Sequence, residues 1–243
     1  YGDPGNGKSF FSKIYAKSMN AEYKEINATD FQKRYIGESL EGLENVFEDS
    51  LQIAKQNPDK EYVLVLNEAD QLIFSADKLK ETSGGYGFFR LDMRDIFINY
   101  LDRLKEEAPN VTFIGTVNFT PTDGALDRAI LSRFGKNIIE VTYPDANTLY
   151  EASKAKLKNL ANYEDWISKN DEKLMELAKD MENRQCSFRN LDNIIDIAKE
   201  TNLKNRMQDR SKQFDIQYMF DALGKIEHTD GEISAAQKIN TKR

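Results

Sequence analysis

Eight residues near the amino-terminal end, Gly2-Asp3-Pro4-Gly5-Asn6-Gly7-Lys8-Ser9, constrain this chain more than any other stretch. They fit the pattern G-x-x-x-x-G-K-[ST], in which successive backbone N–H groups wrap phosphates and one lysine neutralises them. An amphipathic run, Phe10-Phe11-Ser12-Lys13-Ile14-Tyr15-Ala16-Lys17, follows at once, so the phosphates would meet the positive end of a helix. The candidate nucleotide contacts are therefore Asp3, Pro4, Gly5, Asn6, Gly7, Lys8, Ser9 and Phe10. A loop of this kind is fed by a buried parallel strand, yet only Tyr1 stands before it. The expectation is a longer chain whose first strand lies upstream.

Composition narrows the class. With 243 residues, 40% hydrophobic and 31% charged, the chain suits one medium domain with a smaller companion, and no apolar run is long enough to span a bilayer. It reads as soluble. Cys186 and His228 are the single cysteine and histidine, which excludes an intrachain disulfide and a cysteine/histidine metal cluster and points to a reducing, cytoplasmic compartment. The net charge of −7 counts against bulk nucleic-acid binding, which needs a basic face.

Along the chain, three continuous aliphatic or β-branched runs mark strands. Tyr62 to Leu66 and Val111 to Val117 have the composition of strands buried on both faces of a parallel sheet, and Ile138 to Val141 is a further strand candidate. Tyr23 to Asn27 is a short strand as well. Helix-period apolar residues run through Leu40, Leu43, Val46, Phe47 and Leu51. Strands alternating with helices predict an α/β doubly wound parallel sheet over residues 1–143. Beyond Tyr143-Pro144-Asp145 the strand signal stops, and helical patterns at Thr148–Leu160, Glu172–Met181, Ser187–Glu200 and Asp215–Ile226 predict a small all-helical domain over 144–228. Residues 229–243 are polar and predict a frayed tail. Ser83 to Gly87, with three glycines, predicts a mobile loop.

Chemistry gathers at strand tips. Tyr62–Leu66 ends in Asn67-Glu68-Ala69-Asp70, the place where phosphate-loop ATPases carry an acid for Mg²⁺. Glu68 can accept a proton from an attacking water or orient it. Asn67 stands where Asp is usual, and its amide oxygen can meet a magnesium-bound water but brings no negative charge. Ser9 and Asn67 are the candidate metal-site residues.

These motifs, in this order, resemble the ATPase module of the AAA subfamily of AAA+ proteins, the group of katanin, spastin and the FtsH-type proteases. The likeness runs from the phosphate loop to near residue 226. Ala28 to Ser39, continuing to Val46-Phe47, is similar to the family's first pore loop and its following helix. The resemblance implies that Tyr35 and Ile36 face a central channel and grip a polypeptide, with Lys33 and Arg34 favouring acidic stretches. Asn118 resembles sensor 1, which holds the lytic water. Gly124 to Phe134 is similar to the segment that ends in arginine fingers, with Arg133 as the first finger and Lys136 in place of the second, keeping the charge without the planar fork. Arg189 stands at a helix start where other AAA+ branches place a sensor 2 arginine.

The resemblance thus implies an enzyme using ATP and Mg²⁺. It would be a homo-oligomer, most simply a hexamer, that threads a protein substrate through its pore, with ATP held between Lys8 of one subunit and Arg133 of the next. Two alternatives remain open: an ATP-binding scaffold that turns over weakly because of Asn67, and a nucleic-acid-associated ATPase, which the acidic balance disfavours. No H-E-x-x-H sequence for a protease site occurs.

Overall fold

A computed structural model of the chain describes residues 1–31, 36–71, 85–118 and 127–226, with the side chains of 36–39, 71 and 85–90 outside that description. Gln32 to Tyr35, Ser83, Gly84, Gly124 to Leu126, His228 and the 229–243 tail also lie outside the described residues. The chain divides into two compact units, Tyr1–Val141 and Thr142–Arg243.

The first unit is built on three parallel strands in the order β1 (Glu22–Asn27), β2 (Tyr62–Asn67), β3 (Val111–Gly115). Register runs from Glu22 opposite Tyr62 to Asn27 opposite Asn67, and from Tyr62 opposite Val111 to Leu66 opposite Gly115. The central strand explains its own composition. Successive strand side chains point to opposite faces, so Val63 and Val65 pack with Ala16 of helix α1 (Lys8–Ser18), while Leu64 and Leu66 enter the larger core on the other face. A strand covered on both sides has no position left for a polar residue until its tip.

That larger core is supplied by α2 (Ile36–Gln56) and α3 (Gly85–Glu107). α2 buries Leu43, Phe47, Leu51 and Ala54, and α3 buries Met93, Phe97, Tyr100 and Leu104, both at the three-and-four spacing of one helix face. Phe47 stacks on Tyr100 with ring centroids 5.0 Å apart, and Phe97 meets Phe113 of β3 edge-on at 5.6 Å. The short helix α4 (Arg128–Phe134) is capped by Asp127, which accepts from Ala129 N at 2.8 Å and Ile130 N at 3.3 Å and also from Arg94 Nε of α3 at 2.8 Å.

Two expectations change. Gly85 to Gly87 open helix α3 rather than a loop; glycine costs about 1 kcal/mol against alanine in a helix, and the long buried stripe that follows carries the first turn with it. Ile138–Val141 forms no strand: among the described residues its backbone ladder partner is Tyr1, whose terminal ammonium donates to Ile139 O and whose O accepts from Val141 N, both at 2.7 Å. One residue cannot extend a ladder. α1 turns Ser12 and Ala16 toward the sheet, with Tyr15 partly buried against Val63 and Val65, and leaves Phe10, Phe11 and Ile14 exposed. Between β3 and residues 137–141 lies an apolar cleft of about 1020 Å³, lined also by Tyr1, Tyr15 and Phe134.

The second unit is helical: α5 (Ala146–Leu157), α6 (Tyr163–Asn183), α7 (Phe188–Gln208) and α8 (217–226). Leu149, Leu157, Leu174, Leu177, Met181, Leu191 and Ile194 are fully buried in its core. Trp166 donates its indole N–H to Phe214 O at 2.9 Å. Asp145 caps α5 through Thr148 N at 2.7 Å, and Ser187 with Asn190 forms a reciprocal cap on α7. No helix among the described residues is long and apolar enough to cross a membrane.

Candidate nucleotide-binding site

The glycine loop folds back on its own lysine. Gly5 and Gly7 take left-handed backbone angles, φ 89° and 92°, a region that glycine enters at no steric cost. Lys8 Nζ donates to Gly2 O at 2.7 Å and Asp3 O at 3.0 Å, which puts the ammonium inside the curl. At Gly2, φ is +149° and an added Cβ would stand 2.3 Å from Val141 O. Only glycine fits there. Asn6 is buried; its Nδ2 donates to Val141 O at 3.4 Å while its Oδ1 makes no hydrogen bond within the described residues. Asp3 and Pro4 are exposed, and Phe10 is 65% exposed.

α1 then starts at Lys8 with no side-chain cap from Gly7. The N–H groups of a helix's first turn have no partner inside the helix, so here they face the loop, where the helix dipole favours an anion.

The same loop touches the central strand. Ser9 Oγ donates to Asn67 Oδ1 at 2.8 Å, and Thr116, just past β3, donates to the same oxygen at 3.1 Å. Asn67 Nδ2 donates to Glu25 Oε1 on β1. The amide orientation follows from chemistry, since a carboxylate can only accept and hydroxyls can donate. Glu25 in turn accepts from Tyr23 OH at 2.8 Å and pairs with Lys13 at 3.0 Å. Burial pushes its carboxyl up, but Lys13, Tyr23 and Asn67 together hold it below the usual range.

Beyond Asn67 the chain turns sharply. Glu68 is exposed, sits at φ 54° and donates its N–H to Thr116 Oγ1 at 3.3 Å; a non-glycine residue held in that region stores about 1–3 kcal/mol. Asp70 is buried, with Oδ1 lacking a partner within the described residues. Burial, then the Glu68 charge, raises its carboxyl above the usual value, against the N–H groups of Asp70 and Asn118 and the Lys8 charge. Lys8, Glu68, Asp70 and Asn118 therefore share one electrostatic neighbourhood, and Asn118 is half-buried.

Arg133, on α4, bonds Asp102 of α3 and not the loop. Lys136 is exposed in the turn after α4, and Arg189 is exposed in the first turn of α7 in the second unit. Ile36 opens α2 with its side chain outside the described residues, as is Tyr35. Glu25, Thr116 and Asp102 were not legible as site residues. Thr116 left a signal, a hydroxyl inside an otherwise apolar run; Glu25 and Asp102 needed strand register and helix packing.

A parallel sheet whose glycine loop enters a helix and meets the central strand's polar tip defines a phosphate-loop nucleotide-binding α/β fold. The chain belongs to the ATPase family associated with various cellular activities (AAA), whose profile matches residues 1–142. Similar proteins include Cell division protein C of Sulfolobus acidocaldarius, 25% identical over 167 residues, covering 66% of this chain and 41% of that protein. The Proteasome-activating nucleotidase of Methanothermobacter thermautotrophicus is 28% identical over 163 residues, covering 66% and 36%. Protein SUPPRESSOR OF K(+) TRANSPORT GROWTH DEFECT 1 of Arabidopsis thaliana is 26% identical over 157 residues, covering 65% and 33%. The match spans less than half the length of each of these relatives.

Proposed function

We propose that this chain is an ATP-hydrolysing motor module which, assembled as a ring of six copies, draws a polypeptide through its centre. The observation that carries the reading is the 2.8 Å bond between Ser9 Oγ and Asn67 Oδ1, which ties the phosphate loop to the tip of the central strand. The residues suit the ligands: an uncapped helix start and the Lys8 ammonium inside the glycine curl suit a phosphate chain, and two adjoining neutral oxygens with Glu68 and Asp70 nearby suit a hydrated Mg²⁺. Magnesium bound there would supply charge neutralisation on the phosphates.

The chain's own groups do the rest. Lys8 and the first-turn N–H groups bind and orient the phosphates, Glu68 takes or directs a proton of the attacking water, and Asn118 holds that water. Arg133, with Lys136 beside it, reaches a neighbouring subunit's nucleotide, Arg189 signals nucleotide state to the helical unit, and Tyr35 and Ile36 grip the substrate. The relative named as a proteasome-activating nucleotidase favours a protein substrate, and the acidic balance favours it over nucleic acid. A reducing interior compartment suits the lone, buried Cys186.

Lys8→Ala is the direct test. Loss of nucleotide binding supports the site, and unchanged ATP affinity overturns it. A second reading, a nucleotide-gated scaffold, is favoured by the neutral Asn67. Assembly on ATP without steady-state phosphate release at saturating magnesium would select it. We also propose that the cleft beside β3 seats one further strand leading into the loop. Added hydrogen-exchange protection of β3 amides in a chain extended at its amino end supports this, and unchanged exchange overturns it.

A further inference from the structure

The environment of Asn67 is built for an amide and against a carboxylate. Glu25 pairs in register with Val65, so Asn67 is its diagonal neighbour on the sheet face that also carries Tyr23 and is covered by α1, which brings Lys13. Three partners surround the buried Asn67 side chain: two hydroxyls donate to its oxygen and one carboxylate takes its N–H. An aspartate in its place would turn an acceptor toward Glu25, setting two carboxylates against each other with no donor between them. Like charges at that range cannot both stay ionised without cost.

We propose that Glu25 is a positioning residue for the cation-holding end of the site, matched to Asn67: it pins the amide so that Oδ1 faces Ser9. Lys13 and Tyr23 occupy the other carboxylate oxygen and fix the Glu25 side chain. Groups one layer behind a metal's ligands orient them, and removing such a group costs about 10–100-fold in metal affinity.

The inference rests on the proposed nucleotide site, and its test separates the two. Affinity for a fluorescent ATP analogue is measured with magnesium and with EDTA, alongside thermal midpoints without nucleotide, for the native chain, Glu25→Gln, Asn67→Asp and the double variant. Glu25→Gln is expected to lower magnesium-dependent affinity about tenfold while leaving affinity in EDTA unchanged. Asn67→Asp alone is expected to lower the thermal midpoint and to gain no magnesium dependence. The double variant is expected to recover both. Additive effects overturn the proposal, as does a Glu25→Gln variant that is less stable but keeps the native ratio of magnesium to EDTA affinity. A native chain that binds no nucleotide removes the site itself, while the thermal cycle still reports whether residues 25 and 67 are coupled.

Discussion

Arg133 grips Asp102 with two parallel hydrogen bonds, Nε to Oδ1 at 2.8 Å and Nη2 to Oδ2 at 2.6 Å, and gives a third from Nη1 to Ala129 O at 2.7 Å. The fork-to-carboxylate geometry fixes the guanidinium plane. Asp102 is on α3 and Arg133 on α4, so the pair also ties the two helices whose junction Asp127 caps. If Arg133 acts on a neighbouring subunit's phosphates, Arg133→Ala should leave nucleotide affinity intact and lower assembled ATP turnover by about a thousandfold. Sedimentation of the variant separates loss of chemistry from loss of assembly. Asp102→Asn, at an exposed pair, should shift stability by less than about 1 kcal/mol, read by urea denaturation.

The aromatic core of the first unit should be sensitive to truncation. Phe47 is 2% exposed and touches the rings of Phe97, Tyr100 and Phe113. Phe47→Ala is expected to cost about 3–5 kcal/mol. Trp166 belongs to the second unit, so its fluorescence is the wrong probe. Circular dichroism in urea is the measurement to use.

Acid should weaken the α2–α3 contact. Glu107 accepts from Arg103 and pairs with Lys55, which hold its carboxyl down at about 2 against an ordinary 4.5. A depressed carboxylate stabilises the fold fully above the unfolded value, and the contribution fades as pH falls toward the folded one, because the unfolded chain takes up the proton first. The native thermal midpoint should therefore fall from pH 4.5 toward 2 more steeply than that of Glu107→Gln. Parallel curves would show that the pairing does not matter to folding.

Gly2 should tolerate no side chain. With Val141 O 2.3 Å from where a Cβ would stand and φ at +149°, Gly2→Ala must move either the loop or the 139–141 segment. Nucleotide affinity and thermal midpoint should both drop, whereas Gly135→Ala, with open space around its Cβ, should spare affinity and lose only the cost of its positive φ.

The sequence disclosed what is local and periodic. The glycine loop, the apolar strand at Tyr62 and the stripes of α2 and α7 are each read from neighbours a few residues apart. It hid what depends on assembly in space. Glu25 reaches Asn67 only through the β1–β2 register, Asp102 meets Arg133 only when α3 packs on α4, and Ile138–Val141 has strand composition yet, among the described residues, pairs only with Tyr1. The helical start at Gly85 went unread for the opposite reason, because glycine propensity is overruled by packing several turns later.

The left-handed backbone at Glu68 sets durability against work. An asparagine or glycine there would relax the turn and make a sturdier molecule, yet one without the carboxylate beside the phosphate loop. Variants selected purely for heat resistance should therefore accumulate at this position and, if Glu68 directs the attacking water as proposed, should no longer hydrolyse ATP.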